Sequence, residues 1–286
     1  MIGVYIQIYA KHSLFHYLQY AAYGLLCNWV IKMKIIQDVQ YGEYKETLLD
    51  IYLPDSDEFS VFVFFHGGGY VNGNKDYSKH GVFPARFITH LVDRGIAVVS
   101  CDYRMYPDAK FPEYIQDGAK AIKWVHDNMS SYGKVNKIFA GGSSAGAHTT
   151  MQLCFNKKYF EEVGLDSSAV DGYFHDAGQP TVHFNVLKEY GIDSRREIVD
   201  ERAPLYYIGM ADNYPPMKFV ASDNDMKCRL IQTKLVIEAL KHFDYDMSKV
   251  HFSLMHGTHT SYLPKADADG ESVYGKLIYD FMKMYI

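Results

Sequence analysis

Apolar residues recur along this chain in short runs separated by polar turns or by longer segments. Eight runs have the length and the Val, Ile, Phe and Tyr content of β-strands. They are Ile35–Gln40, Thr47–Leu53, Val61–Phe65, Ile96–Cys101, Lys137–Gly141, Val170–Phe174, Met217–Ala221 and Val250–Met255. The central runs are continuously apolar, which is typical of strands that are covered on both faces of a sheet.

Between these runs, apolar residues return at the spacing of one face of an α-helix. The clearest stripes are Ile115, Ala119, Ile122, Val125 and Met129, then Leu230, Leu235, Ile237 and Leu240, and finally Val273, Leu277, Phe281 and Met284. Pro112 precedes the first stripe, as expected near a helix N-terminus. The alternation predicts an α/β fold, a mainly parallel eight-stranded sheet with helices on both faces.

Two segments do not follow this alternation. Residues 1–34 are rich in aromatic side chains and precede the first strand, and residues 175–210 connect two strands without clear periodicity. We predict an N-terminal helical segment at 1–34 and a single α/β domain at 35–286. Each irregular segment either packs on the surface of that domain or forms a cap that narrows a pocket, and the sequence leaves both alternatives open.

Composition narrows the class of protein. A chain of 286 residues, 48% hydrophobic and 22% charged, is typical of a globular protein with one large core. Its formal net charge of −5 provides no basic field for a phosphate backbone, so we expect no nucleic-acid partner. Polar residues such as His16 and Asn28 interrupt the apolar run at 14–31, so we expect no membrane span. No signal-peptide pattern is visible, which favours a cytoplasmic location.

The first chemical signal is Gly142-Ser143-Ser144-Ala145-Gly146, which matches G-x-S-x-G with Ser144 at its centre. The motif follows an apolar strand and opens a helical stretch. A sharp strand-to-helix turn strains and exposes the central hydroxyl, and the helix N-terminus favours developing negative charge. Ser144 is therefore the candidate nucleophile. Ser143 is its rival, and a chance match to a Gly/Ser-rich turn is the remaining alternative.

A second glycine-rich motif, HGGGY at residues 66–70, follows the third predicted strand. Successive glycines let the backbone curl close to a ligand and present N–H groups to it. We expect the amides of Gly68 and Gly69 to join that of Ala145 in an oxyanion hole. Tyr70 is a candidate substrate contact, with packing in the core as the alternative.

Candidate acid and base residues come after the nucleophile motif. Asp225 follows the seventh predicted strand and His259 follows the eighth, so both lie in strand-end loops at one edge of the sheet. The order Ser, Asp, His along a chain is typical of a large class of hydrolases. Asp223 and His256 are the alternatives. The histidines of this region have no carboxylate or cysteine at ligand spacing, so we expect no metal.

Together these motifs resemble those of the hormone-sensitive-lipase-like and BD-FAE-like esterases of the α/β-hydrolase fold. HGGGY and GSSAGA resemble their oxyanion and nucleophile motifs. Two further signatures, D-Y-R-x-x-P…F-P…D and L-D-x-Y-x-P, are matched by Asp102-Tyr103-Arg104, Pro107, Phe111-Pro112 and Asp117, and by Leu49-Asp50-Ile51-Tyr52-Leu53-Pro54. The resemblance runs from about residue 36 to residue 262.

The resemblance implies a catalytic domain at 35–286 that hydrolyses a small-molecule ester through Ser144, His259 and Asp225 without a cofactor. Ser143 and Ala147 depart from the Asp and Gly of many relatives, which favours small-acyl esters, including acetylated carbohydrates. An amidase or aryl formamidase with the same residues, or a non-catalytic receptor on the same scaffold, are the alternatives. The oligomeric state stays open, with a homodimer as one candidate.

Overall fold

The computed structural model describes residues 33–76 and 83–286. The predicted N-terminal segment at 1–34 therefore lies outside the described residues, apart from Met33 and Lys34, and Lys34 opens the first strand. Within the described ranges, no helix is both long enough and apolar enough to cross a membrane.

The described residues form one eight-stranded sheet. Its strands are β1 (Lys34–Gln40), β2 (Leu48–Leu53), β3 (Glu58–Phe65), β4 (Ile96–Cys101), β5 (Lys134–Ser143), β6 (Gly172–Asp176), β7 (Met217–Asn224) and β8 (Val250–Thr258). Their order across the sheet is β1-β2-β4-β3-β5-β6-β7-β8. β2 pairs antiparallel with β1 and β4, and all other neighbours pair in parallel. The predicted α/β fold with a mainly parallel sheet is confirmed.

The central strand β3 shows why its sequence is continuously apolar. Val61 and Val63 belong to the hydrophobic core on one face of the sheet. Phe62 and Phe64 belong to the core on the other face. Because each face is covered, successive side chains are all removed from water. Burial of each one stabilises the folded state by roughly 1.5–3 kcal/mol relative to an exposed position.

Helices cover both faces of the sheet, as the sequence predicts. The α-helices of the described ranges are α1 (Arg86–Val92), α2 (Glu113–Asn128), α3 (Ala145–Phe155), α4 (Lys158–Glu161), α5 (Phe184–Glu189), α6 (Arg229–His242) and α7 (Val273–Met282). α1 and α7 pack on the face that contains Phe62. α2, α3 and α6 pack on the face that contains Val61.

The excursion between β6 and β7 spans residues 177–216 and carries α5 and a short 3-10 helix, Pro204–Tyr207. It begins after Asp176 and not at residue 175, because His175 and Asp176 still pair with β7 inside the sheet. A helix of six residues is too short to leave a periodic apolar stripe, which explains why the sequence pattern there is irregular.

Candidate active site

Ser144 occupies the turn between β5 and α3. Its φ of +57° lies in the left-handed region, which a residue with a Cβ rarely adopts. Two backbone hydrogen bonds hold this conformation: the Ser144 N–H donates to the Asp176 carbonyl at 2.7 Å, and the His148 N–H donates to the Ser144 carbonyl at 3.0 Å. The surrounding structure thus maintains a local strain that is typical of a functional turn.

The glycines of the motif make this turn sterically feasible. A Cβ on Gly146 would clash with the backbone carbonyl of Phe65, and a Cβ on Gly142 would clash with the backbone of Gly146. β5, the start of α3 and the end of β3 therefore approach one another more closely than alanine would allow. This close approach brings the Ser144 turn next to the loop that follows β3, residues 66–70, which we call the glycine loop.

Gly146→Ala should destabilise the protein, because the added methyl group would have to displace backbone atoms of Phe65. We expect a loss at the upper end of the overpacking range, about 3 kcal/mol, in the free energy of unfolding, measured by urea denaturation. Gly191→Ala is the control. Gly191 has a positive φ of +69°, which Gly146 does not share, and a Cβ there meets no atom within 4 Å, so Gly191→Ala should cost about 1 kcal/mol from backbone strain alone. Equal losses in the two variants would contradict the steric explanation.

The structure brings Ser144, His259 and Asp225 together. His259 Nε2 lies 2.9 Å from Ser144 Oγ, and His259 Nδ1 lies 2.6 Å from Asp225 Oδ1. The three side chains come from the carboxyl ends of β5, β8 and β7, which share one edge of the sheet. The Asp225 side chain is 1% exposed and that of His259 is 24% exposed, so only the histidine contacts solvent appreciably.

Asp225 is held as a carboxylate. Burial raises its pKa, but the hydrogen bond and charge of His259, together with the N–H groups of Met226 and Ser222, outweigh burial and lower the pKa below its ordinary value. The ionised carboxylate accepts the Nδ1 proton of His259, which leaves Nε2 as the acceptor that faces Ser144. The arrangement can therefore accept a proton from the Ser144 hydroxyl.

The alternative residues form a second pair that faces away from the nucleophile. His256 Nδ1 lies 2.6 Å from Asp223 Oδ2, and the His256 side chain is 97% exposed. The Gly257 N–H and His256 both lower the pKa of Asp223. Ser143, the alternative nucleophile, is buried. In the described part of the chain, neither His256 nor Asp223 contacts Ser144.

The glycine loop lies beside the nucleophile. A Cβ on Gly67 would be 3.3 Å from Ser144 Cβ, so the two backbones are adjacent. Gly68 and Gly69 have φ of +114° and +67°, and the Gly68 carbonyl accepts the N–H groups of Val71 and Asn72 at 3.2 Å. Across the described ranges, no acceptor is paired with the N–H of Gly68 or Gly69.

Of the two roles that the sequence left open for Tyr70, the structure shows packing in the core. Its side chain is fully buried, and its hydroxyl donates to the Ala145 carbonyl at 2.8 Å and lies 2.8 Å from His148 Nδ1. Its ring stacks on Tyr114 with 3.9 Å between centroids. With its polar and apolar parts both engaged inside the protein, Tyr70 supports the glycine loop and start of α3 instead of facing a substrate.

Sequence reasoning missed two residues at this edge of the sheet. Asn185 of α5 donates its side-chain N–H to the Gly69 carbonyl at 2.6 Å, which links the excursion to the glycine loop. Asp176 ends β6 and is fully buried beside the Ser144 turn. Asp176 could have been found from the sequence, because a carboxylate at the carboxyl end of a predicted parallel strand lies where such folds place their functional sites. Asn185 left no comparable signal, because its contact depends on how the excursion folds back.

No group of His, Cys, Asp and Glu in the described ranges is arranged to hold a metal ion.

The strand order and the grouping of Ser144, Asp225 and His259 are those of the α/β-hydrolase class. A family model described as BD-FAE matches residues 49–193, which is half of the chain, and the chain belongs to that family. The resemblance to the BD-FAE-like esterases is thereby confirmed.

Curated relatives carry esterase names. The chain is 28% identical over 165 residues to a probable isoprenylcysteine alpha-carbonyl methylesterase, ICMEL2, of Arabidopsis thaliana, with 55% of this chain and 37% of that protein covered. It is 26% identical over 226 residues to Esterase LipC of Mycobacterium tuberculosis, with 71% of this chain and 54% of that protein covered. The chain thus spans about a third to a half of the length of these relatives.

Solved structures share the fold. A truncated carbohydrate esterase from gut microbiota superposes with a TM-score of 0.70 at 17% identity, covering 88% of this chain and 96% of that one. Esterase B from Lactobacillus rhamnosis gives a TM-score of 0.70 at 15% identity, and the superposition covers 94% of this chain and 93% of that one. At such identities the similarity establishes the α/β-hydrolase fold.

Proposed function

We propose that this protein is a serine carboxylesterase in which Ser144 is the nucleophile, His259 the general base and Asp225 the orienting acid. The observation that carries this proposal is the continuous hydrogen-bonded series from Ser144 Oγ through both His259 nitrogens to Asp225, at 2.9 and 2.6 Å. The esterase names of the relatives support the same reaction class.

In the proposed reaction, Ser144 Oγ attacks the ester carbonyl carbon while its proton passes to His259 Nε2. Asp225 stabilises the resulting imidazolium without taking its proton. The tetrahedral intermediate then expels the alcohol, which receives the proton from His259, and an acyl-enzyme remains. Water repeats the sequence, releases the carboxylic acid and regenerates the Ser144 hydroxyl. These steps need no metal or organic cofactor.

The oxyanion of the tetrahedral intermediate requires hydrogen-bond donors. We assign this role to the N–H groups of Gly68, Gly69 and Ala145. The first two lie in a loop whose positive φ angles turn it tightly beside Ser144, and the third begins α3, where the helix dipole also favours negative charge. Loss of one such donor costs about 2.7–4 kcal/mol of transition-state stabilisation in comparable sites.

The proposed substrates are small-acyl esters. The excursion lies against the glycine loop, since the Phe184 ring is 3.7 Å from the position of a Cβ on Gly69 and Asn185 bonds to the same residue. An element placed so close to the site limits the space for an acyl chain.

The names of similar proteins point to the same substrates. One relative is named 3-O-acetylpapaveroxine carboxylesterase, from Papaver somniferum, and is 30% identical over 131 residues. Acetylated carbohydrates are a second candidate class, consistent with the carbohydrate esterase of the same fold.

Acetyl to butyryl p-nitrophenyl esters should be hydrolysed with at least about tenfold higher kcat/KM than decanoyl esters. Each methylene that can be buried gains about 0.8 kcal/mol, so a pocket that accepted long chains would give the opposite order. Matched p-nitroanilides form the control, because the same residues could serve an amidase or aryl formamidase. Faster turnover of the anilides would favour the amidase, and no turnover of either series would favour a non-catalytic receptor.

The possible cap that the sequence predicts at residues 1–34 lies outside the described residues, and its effect on chain-length selectivity can be tested by removal. Removal of residues 1–31 should then reduce the preference for short chains in the same ester panel. The expected change is a smaller ratio of butyryl to decanoyl kcat/KM, provided that circular dichroism shows the shortened chain to be folded. An unchanged ratio in a folded shortened chain would assign the selectivity to the excursion alone.

A further inference from the structure

Asp176 is a buried carboxylate that the proposed mechanism does not use. It ends β6, where it pairs in register with Ser143 of β5, and its backbone carbonyl accepts the Ser144 N–H at 2.7 Å. The residue is fully buried. Its backbone therefore fixes the nucleophile turn, and its side chain lies at the edge of the sheet where the three proposed catalytic residues meet.

The Asp176 side chain also joins the loop that carries His259. Tyr262, three positions after His259, donates its hydroxyl proton to Asp176 Oδ1. The same loop is tied to β7, because Ser222 Oγ donates to the Thr258 carbonyl at 2.8 Å. Asp176 thus connects the Ser144 turn with the His259 loop, and neither connection passes through Asp225.

Burial makes this carboxylate costly to ionise. Burial raises the pKa of Asp176 to about 6, although Tyr262, Ser143 and the charge of His259 lower it, and the charge of Asp225 raises it. Next to Asp176 in the chain, the Ala177 carbonyl accepts a hydrogen bond from the buried Arg229 guanidinium at 2.9 Å. A group whose charge is less favourable in the folded protein than in water lowers stability at neutral pH. A buried carboxylate with a raised pKa beside a candidate catalytic site is itself a candidate for a functional charge.

We infer that Asp176 is a positioning residue, whose carboxylate holds the His259 loop against the Ser144 turn through Tyr262 and places a second negative charge near the imidazolium formed in the reaction. This inference rests on the proposed esterase function. A purely structural residue would stabilise the fold. A positioning residue with a buried charge should instead increase turnover and decrease stability.

Asp176→Asn tests the inference, because asparagine keeps the size of the side chain and an acceptor for the Tyr262 hydroxyl but removes the charge. We expect kcat for p-nitrophenyl butyrate to fall roughly ten- to a hundredfold, with KM changed less than about twofold. The melting temperature should stay constant or rise. The acid limb of the kcat/KM profile should become less steep, because the wild-type protein loses the ionised Asp176 as pH falls through about 6.

Tyr262→Phe is the second variant, which keeps the carboxylate and removes its link to the His259 loop. It should also lower kcat more than it changes KM, and it keeps the test decisive if Asp176→Asn does not fold. Wild-type kcat and pH profile in Asp176→Asn would overturn the inference, as would a parallel loss of melting temperature and activity in both variants. Absence of ester hydrolysis by the wild-type protein would instead refute the proposed function, so the two failures can be distinguished.

Discussion

Ser144→Ala should lower kcat for ester hydrolysis by roughly 10⁴-fold or more, because the attacking oxygen is removed and no acyl-enzyme can form. The fold should remain intact. The turn is maintained by backbone hydrogen bonds to Asp176 and His148 and by the space that Gly142 and Gly146 leave, none of which involves the hydroxyl. Alanine has the same Cβ as serine, so the strain at the positive φ is also unchanged. Initial rates with p-nitrophenyl butyrate and thermal melting measure the two effects.

Ser143→Ala is the control for this prediction. Ser143 is buried beside the nucleophile and its side chain hydrogen-bonds to the Asp176 carboxylate, whereas His259 Nε2 lies 2.9 Å from Ser144 Oγ. Its activity should therefore fall far less than that of Ser144→Ala, and a fluorophosphonate probe should label Ser143→Ala but not Ser144→Ala. If Ser144→Ala were labelled and turned over substrate normally while Ser143→Ala did neither, the nucleophile would be Ser143.

Much of the fold and the location of the site could be predicted from the sequence because both depend on local patterns. Strands covered on both faces are continuously apolar, so β4 was predicted at its observed bounds, Ile96–Cys101. The carboxyl ends of parallel strands share one edge of the sheet. Residues such as Ser144, Asp225 and His259, which follow three apolar runs, were therefore expected to lie together, and the structure brings them together.

Contacts that depend on the path of a long connection could not be predicted in this way. Tyr70 follows the glycine loop at a position where a substrate contact and core packing look the same in sequence. Its burial depends on Tyr114 from α2 and on His148 from α3, which are remote in the chain. The contact between Asn185 and Gly69 likewise depends on the fold of the excursion.

The choice between two neighbouring His–Asp pairs depends on where the strands end. The apolar run of β8 stops at Met255, but the strand continues to Thr258, so His256 is still a strand residue, and its side chain points into solvent. β7 likewise continues to Asn224 and includes Asp223. His259 and Asp225 lie just beyond these strand ends, where the chain can turn toward Ser144. Polar strand ends lack the apolar signal that marks the strand interior, so the sequence left both pairs open.

His259→Ala should lower kcat by roughly 10⁴-fold, whereas His256→Ala should retain kcat within about twofold. Both histidines have an aspartate at 2.6 Å from Nδ1, so an His–Asp pair alone does not distinguish them. Only His259 also has its Nε2 at 2.9 Å from Ser144 Oγ, and only its partner Asp225 is shielded from solvent. The two variants form a matched comparison, measured as kcat with p-nitrophenyl butyrate and as melting temperature. A large loss in His256→Ala with near-normal turnover in His259→Ala would transfer the role of general base to His256 and its partner Asp223.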